Sequence, residues 1–233
     1  MNFLSRRSIR LLIVSLPMFW MLVAATPGIS STRDVLWEII TDCLDLSAVD
    51  YCGQCRVPRI EKKCPHDSEC ENTLELWDES NNYVVIRDRK MCDCPAGFVH
   101  GIAVPRARVT GVEDPHRPAG IWSFAWAAAR GRISENSAIA LVVNPARMRS
   151  QDQLHVHIVR LQENARSRLA KLEAARVQNL DDVWKVAARS AALAKLDDYG
   201  VLVVSAQDAG FLVFVDRESF ERSYTEATCR QYP

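Results

Sequence analysis

From Gln153 to Ile158 polar and apolar residues alternate: Gln153, His155 and His157 against Leu154, Val156 and Ile158. Period two marks a strand with one face in a core, and residues two apart share a face. The pattern therefore predicts a half-buried strand carrying an amide and two imidazoles on one side. Ala138 to Val143 is a continuous apolar run leading into it. The two runs, joined by a loop of about ten residues, read as a hairpin that places Asn144 and His155 on neighbouring strands. Further strands are expected at Asn82–Arg87 and at Gly97–Val104, with Cys92 to Pro95 as the hairpin between them. Val201–Val204 and Phe211–Val215 should close the chain as a hairpin around Asp208, Ala209 and Gly210.

Helical spacing appears elsewhere. Leu36, Ile39, Ile40 and Leu44 predict a short helix over residues 31–45, with Ser31 or Thr32 as N-cap. Ile121 to Arg130 reads as a helix with Ile121, Trp122, Phe124, Ala125 and Ala128 facing inward, ended by Gly131. Trp122 and Trp126 lie on one stripe, either as core or as a wall for a nucleobase or lipid. Asn164 to Val177 is expected as one helix. Asn179 should cap the next, with Asp181 and Asp182 in its first turn, Leu180, Val183, Trp184, Ala187 and Ala191 as its apolar stripe, and Gly200 just beyond its end. Pro105 to Pro118, with Gly111 and Asp114-Pro115, is a loop. Hairpins interrupted by helical blocks give an α+β fold: an antiparallel sheet of five or six strands with helices packed on it.

Length and charge bound the rest. A chain of 233 residues holds one good core, so residues 31–233 are expected as a single domain. Basic and acidic residues balance at 29 each, which removes any case for general nucleic-acid binding. Residues 1–30 place Arg6, Arg7 and Arg10 before the apolar run Leu11–Ala25. This reads as a membrane anchor or signal segment that carries the body out of the cytoplasm. Eight cysteines suit a disulfide framework there, and they concentrate in an insertion over residues 43–94. Cys52-Gly-Gln-Cys55 admits zinc and redox readings, with disulfides as the default. Cys92 and Cys94 are too close to bridge each other, so each should reach elsewhere, and Cys229 should staple the tail to the body.

The chemistry centres on His155 and His157. A neutral imidazole can attack phosphorus, and the preceding loop, with Asn144, Arg147, Arg149, Ser150 and Gln151, can hold oxyanions. Arg130, Arg132, Arg147 and Arg149 form a cationic cluster suited to a pyrophosphate. Two histidines at this spacing also suit zinc, with a third ligand supplied from afar. His66, His100 and His116 are scattered and none stands out for that role.

The run from Asn144 through Arg149-Ser150-Gln151-Asp152-Gln153-Leu154-His155-Val156-His157-Ile158 resembles the bacterial CDP-diacylglycerol pyrophosphatases, a branch of the histidine-triad superfamily. The N-terminal apolar segment, the strand Tyr83–Asp88 and the helix start Trp122–Trp126 agree. The resemblance implies a histidine-triad-like sheet, a retained N-terminal anchor in the bacterial inner membrane and a catalytic domain on its outer side. It implies hydrolysis of CDP-diacylglycerol to CMP and phosphatidate with no cofactor. His155, at the middle triad position, would be the nucleophile, and His157 would bind phosphate and protonate the leaving group. Asn144, Arg149, Ser150, Gln151 and Gln153 would bind substrate or orient His155. Gln153 departs from the three-histidine pattern. The resemblance also implies a tail-binding cysteine just after the histidine strand; Arg160 stands there, so Cys229 needs another partner. A lipid substrate motivates a pocket opening toward the membrane between the Trp122 helix and the histidine strand. The competing readings are a zinc-dependent protein using His155 and His157, a non-catalytic nucleotide-binding or cysteine-rich module, and a hydrolase of other nucleoside diphosphates or dinucleotides.

Overall fold

The computed structural model describes residues 33–44, 76–91, 94–95 and 97–229. The anchor expected at 1–30 and most of the cysteine-rich insertion lie outside the described residues, and the first described helix starts at Val35 with Asp34, not Ser31 or Thr32, at its N-cap. Among the described residues no helix is long and apolar enough to cross a membrane.

The chain folds as α+β around an antiparallel sheet of eight strands in the order β1-β2-β3-β5-β4-β7-β8-β6. These are β1 (Leu76–Glu79), β2 (Tyr83–Arg87), β3 (His100–Pro105), β4 (Ile139–Val143), β5 (Val156–Arg160), β6 (Ala175–Val177), β7 (Gly200–Ser205) and β8 (Phe211–Asp216). Six are the expected strands with their ends moved: Val201–Val204 and Phe211–Val215 are extended, and the alternating run enters its strand only at Val156, after His155. The other two, β1 and β6, are edge strands. The helices are α1 (Val35–Glu38, extended by a π turn through Cys43), α2 (Ile121–Arg130), α3 (Ala165–Leu169), α4 (Val183–Leu193) and α5 (Phe220–Tyr224).

The expected hairpin pairs β4 with β5, Val142 opposite His157, and β5 pairs with β3, His157 opposite Ile102. The central strands are buried on both faces, which corrects the half-buried expectation: β4 and β5 carry almost no exposed residue. One face packs on α2 and α4. Leu154, Val156 and Ile158 join Leu141, Val143, Val201 and Val203 there, beneath Trp122, Ala125 and Trp184. On the other face lie two separate apolar clusters. Leu36, Ile39, Ile40 and Leu44 pack on Val84, Ile86 and Val104. Ala165, Leu169 and Phe220 pack on Ala140, Val142, Val159, Leu202 and Phe214. His157 lies on the seam between them, because its strand neighbours Ile102 and Val142 belong to different clusters.

Trp122 is fully buried and stacks edge-on against Trp184 at 4.8 Å. It is core, and its helix covers the face opposite the histidines. This corrects the pocket expected between the Trp122 helix and the histidine strand.

Two further expectations change. Asn164 to Val177 is not one helix. α3 stops at Leu169, and residues 175–177 pair with β8, Val177 opposite Phe211. Helix propensity in this Ala-rich stretch is small per residue and yields to sheet pairing, burial of Val177 and the Arg176–Asp208 ion pair. Asn179 caps the 3-10 turn Leu180–Asp182 that leads into the next helix, its side chain accepting from Asp181 N–H. That helix ends before Gly200, which instead opens β7. The left-handed residue after its last turn is Lys195, φ 55°.

Candidate active site

His155 sits where the 144–155 loop enters β5. Its Nδ1 lies 2.7 Å from the backbone carbonyl of Gln153. A carbonyl only accepts, so Nδ1 carries the proton and Nε2 keeps its lone pair. The ring is largely buried, at 8% exposure. Burial pushes its pKa below the ordinary 6.5, against the Gln153 carbonyl and the charge of Glu221, which raise it. The ring is neutral at pH 7.

Gln153 contributes through its backbone. Its side-chain amide donates to the carbonyls of Pro105 and Ala107 at 2.9 and 2.8 Å, and its Oε1 accepts from Val109 N–H at 3.2 Å. The amide is wholly engaged with the 105–109 segment, so it props the loop that carries His155.

His157 points into a buried polar chain whose protons can be ordered. Asn144 Nδ2 lies 2.5 Å from Glu221 Oε2 and 3.3 Å from His157 Nε2. Ser219 Oγ–H donates to Asn144 Oδ1 at 2.7 Å. The carboxylate accepts only, so the amide nitrogen must face Glu221, and its other N–H then reaches His157 Nε2. His157 therefore carries its proton on Nδ1 and donates to His100 Nε2 at 3.0 Å. His100 in turn donates from Nδ1 to the Ala227 carbonyl at 3.2 Å. Burial lowers the pKa of both rings, His157 strongly. Burial alone would raise the Glu221 carboxyl. The His157 ring, Lys90 and the His100 ring outweigh it and hold Glu221 below the ordinary carboxylate range; Lys90 Nζ donates to Oε1 at 2.6 Å.

Asp88, His100 and His157 bring possible metal-ligand atoms within 4.8 Å of one another. The ring of His155 is not in that group, so the zinc reading built on His155 and His157 finds no third ligand among the described residues.

The loop residues are drawn elsewhere. Arg149 forks onto Glu113 at 2.5 and 2.8 Å and approaches Asp152 at 3.7 Å. It passes over Gly111 (φ +67°), where a Cβ would collide with its guanidinium. Gln151 accepts from Leu36 N–H and Asp152 from Arg33, which tie the loop to α1. Ser150 is exposed. The four arginines do not converge as one cluster. Arg147 pairs with Glu218 and Asp198, Arg132 lies over the Trp77 ring, and Arg130 is exposed at the end of α2.

His155, His157 and Asn144 are thus brought together as the hairpin pattern implied. His100, Ser219, Glu221 and Lys90 were not singled out. A polar His100 opening an otherwise apolar strand was a legible signal. Ser219 and Glu221 read as an ordinary helix cap and first-turn acid.

Residues 31–189 match the family of CDP-diacylglycerol pyrophosphatases. The chain belongs to that family. No curated protein matches it. The pyrophosphatase hydrolyses the pyrophosphate bond of CDP-diacylglycerol, giving CMP and phosphatidate. The matched region contains Asn144, Gln153, His155 and His157. Ser219, Glu221 and Ala227 lie beyond it, as does Cys229, whose expected staple is a disulfide to Cys94.

Proposed function

We propose that the pyrophosphatase works through a nucleotidyl-histidine intermediate on His155, in a histidine-triad-like site. The observation that carries this reading is the 2.7 Å bond from His155 Nδ1–H to the Gln153 carbonyl, which leaves Nε2 as an unprotonated nucleophile. Nε2 attacks the phosphorus of the CMP half. The bond to the bridging oxygen breaks, and phosphatidate leaves with its electron pair. Water then attacks the same phosphorus, the electron pair of the N–P bond returns to Nε2, and the proton lost by water passes to product phosphate and solvent.

His157 lies beside the reacting ring, 4.8 Å between centroids, and with its two nitrogens engaged by Asn144 and His100 it supports His155 in place of the direct phosphate contact expected of it. Asn144 orients His157. Arg149, Gln151 and Gln153 shape the loop, and Ser150, exposed on it, meets substrate oxygens. We place the catalytic domain outside the cytoplasm, held at the inner membrane by residues 1–30, where it meets the headgroup of a substrate whose acyl chains stay in the bilayer. This route needs no cofactor.

The test is intact-protein mass spectrometry after brief mixing with CDP-diacylglycerol in detergent and EDTA, on wild type and His155→Ala. A CMP-sized adduct that decays with time in wild type and is absent from the folded variant is expected. A fully active His155→Ala enzyme overturns the mechanism, as does CMP release that requires added zinc.

A further inference from the structure

The segment after β8 supplies three of the partners that order the histidine protons: the Ser219 hydroxyl, the Glu221 carboxylate and the Ala227 carbonyl. Glu221 is nearly fully buried, at 5% exposure, yet ionised. Its two oxygens do different things. Oε1 takes the Lys90 ammonium, while Oε2 takes the Asn144 amide at 2.5 Å and lies 3.4 Å from His157 Nε2. Asp88 Oδ2 stands 3.5 Å from His100 Nε2. Among the described residues, two carboxylates therefore face one ammonium around the imidazoles.

We infer that Glu221 is a positioning residue of the pyrophosphatase: it fixes the proton order of the Asn144–His157–His100 chain and provides counter-charge for the His155 ring during nucleotidyl transfer. The second half rests on the intermediate proposed above. When Nε2 of His155 bonds to phosphorus and the bridging P–O bond breaks, the ring keeps its Nδ1 proton on Gln153 and acquires one positive charge. In a desolvated site such charge is costly unless an opposite charge is already in place. Glu221 provides it from behind His157, with no reorganisation. The first half does not depend on the intermediate. Only a pure acceptor at Oε2 compels Asn144 to present N–H to His157, so an amide at this position loses the compulsion.

Glu221→Gln in the full chain separates the two. Long-range proton–nitrogen NMR of the histidine rings should show His157 protonated on Nδ1 in wild type and a mixture of tautomers in the variant. Rapid-quench mass spectrometry should show adduct formation slowed about 100-fold, the scale of losing one preorganised electrostatic partner, with KM little changed. Glu221→Asp should recover part of that rate. Glu221→Gln with the wild-type tautomer and adduct formation within about two-fold of wild type overturns the inference. Asn144→Ala serves if the Gln variant does not fold: without the amide, His157 Nε2–H can donate directly to Glu221 Oε2, 3.4 Å away, so a mixed tautomer is expected, and an unchanged tautomer and rate overturn the proposal. A wild-type enzyme that forms no adduct defeats the covalent reading, while the tautomer measurement still decides whether Glu221 orders the chain.

Discussion

The Nδ1 proton of His155 is held by the main chain of Gln153, two residues earlier, and not by its side chain. The first position of the alternating run therefore supports His155 through backbone geometry, and a glutamine there serves as well as any residue that keeps the loop in place. The Gln153 side chain does the keeping, with three hydrogen bonds to residues 105–109.

Gln153→Ala should accordingly act on stability more than on chemistry. Three backbone groups lose their partner in a nearly buried place, at about 1–3 kcal/mol for a group left unsatisfied, less where water enters. The expected loss is about 2–4 kcal/mol in urea unfolding, with kcat of the folded enzyme within about three-fold, since the carbonyl that holds His155 remains. A collapse of kcat in a variant as stable as wild type would instead give the amide a direct part in the reaction.

The Cys94–Cys229 disulfide spans 135 residues and anchors the tail two residues beyond Ala227, whose carbonyl fixes the proton on His100. Replacing both cysteines by alanine should lower the unfolding free energy by about 2–5 kcal/mol. It should also lower turnover under conditions where the enzyme remains folded, because the far end of the proton chain is released. Unfolding and steady-state rates on the double variant test both, and full turnover in a destabilised protein would show that Ala227 holds its place without the clamp.

Acid should weaken the protein in two stages. His100, His155 and His157 have folded pKa values below 6.5, so the unfolded chain takes up protons first as pH falls through 6.5. Their neutral burial then counts against the fold. Glu221, with its folded pKa held down, adds stability above its ordinary 4.5 that is lost as pH falls further. Unfolding free energy should therefore decline from about pH 6.5 and more steeply below about 4.5. The acid limb of kcat/KM should lie below 6.5, since the Gln153 carbonyl, Glu221 and Asp88 offset only part of the burial that, together with Lys90, keeps His155 neutral. A limb centred above pH 7 would contradict a desolvated nucleophile.

Removing residues 1–30 should leave hydrolysis in detergent within about two-fold and cut it on vesicle-embedded substrate by about ten-fold or more, because tethering raises the local concentration of enzyme at the surface. Equal loss of activity in both assays would point to a folding role for the segment, and no loss in either would remove tethering from the mechanism.

The alternation at 153–158 and the apolar run at 138–143 were enough to draw the hairpin and to set His155 and His157 beside Asn144, because strand periodicity is local. The helix at 121–130 was equally legible from its apolar stripe. The 164–177 stretch was not. Its alanines favour a helix weakly, and the pairing of Val177 with Phe211 is a contact across more than thirty residues that outweighs them. Arg149 looked like an anion ligand until the fold set Glu113 against it.

What the sequence by itself determined is the arrangement of residues near one another: an α+β sheet, a pair of histidines at the start of one strand and the family that carries them. Only the tertiary structure decided which groups govern those histidines. His100 comes from a strand paired beside β5, Glu221 and Ser219 from a short helix at the far end of the chain, and Ala227 from a tail fastened to Cys94. Hydrogen bonds and charges inside a protein depend on distances of a few ångströms, and sequence spacing specifies those only within a single element.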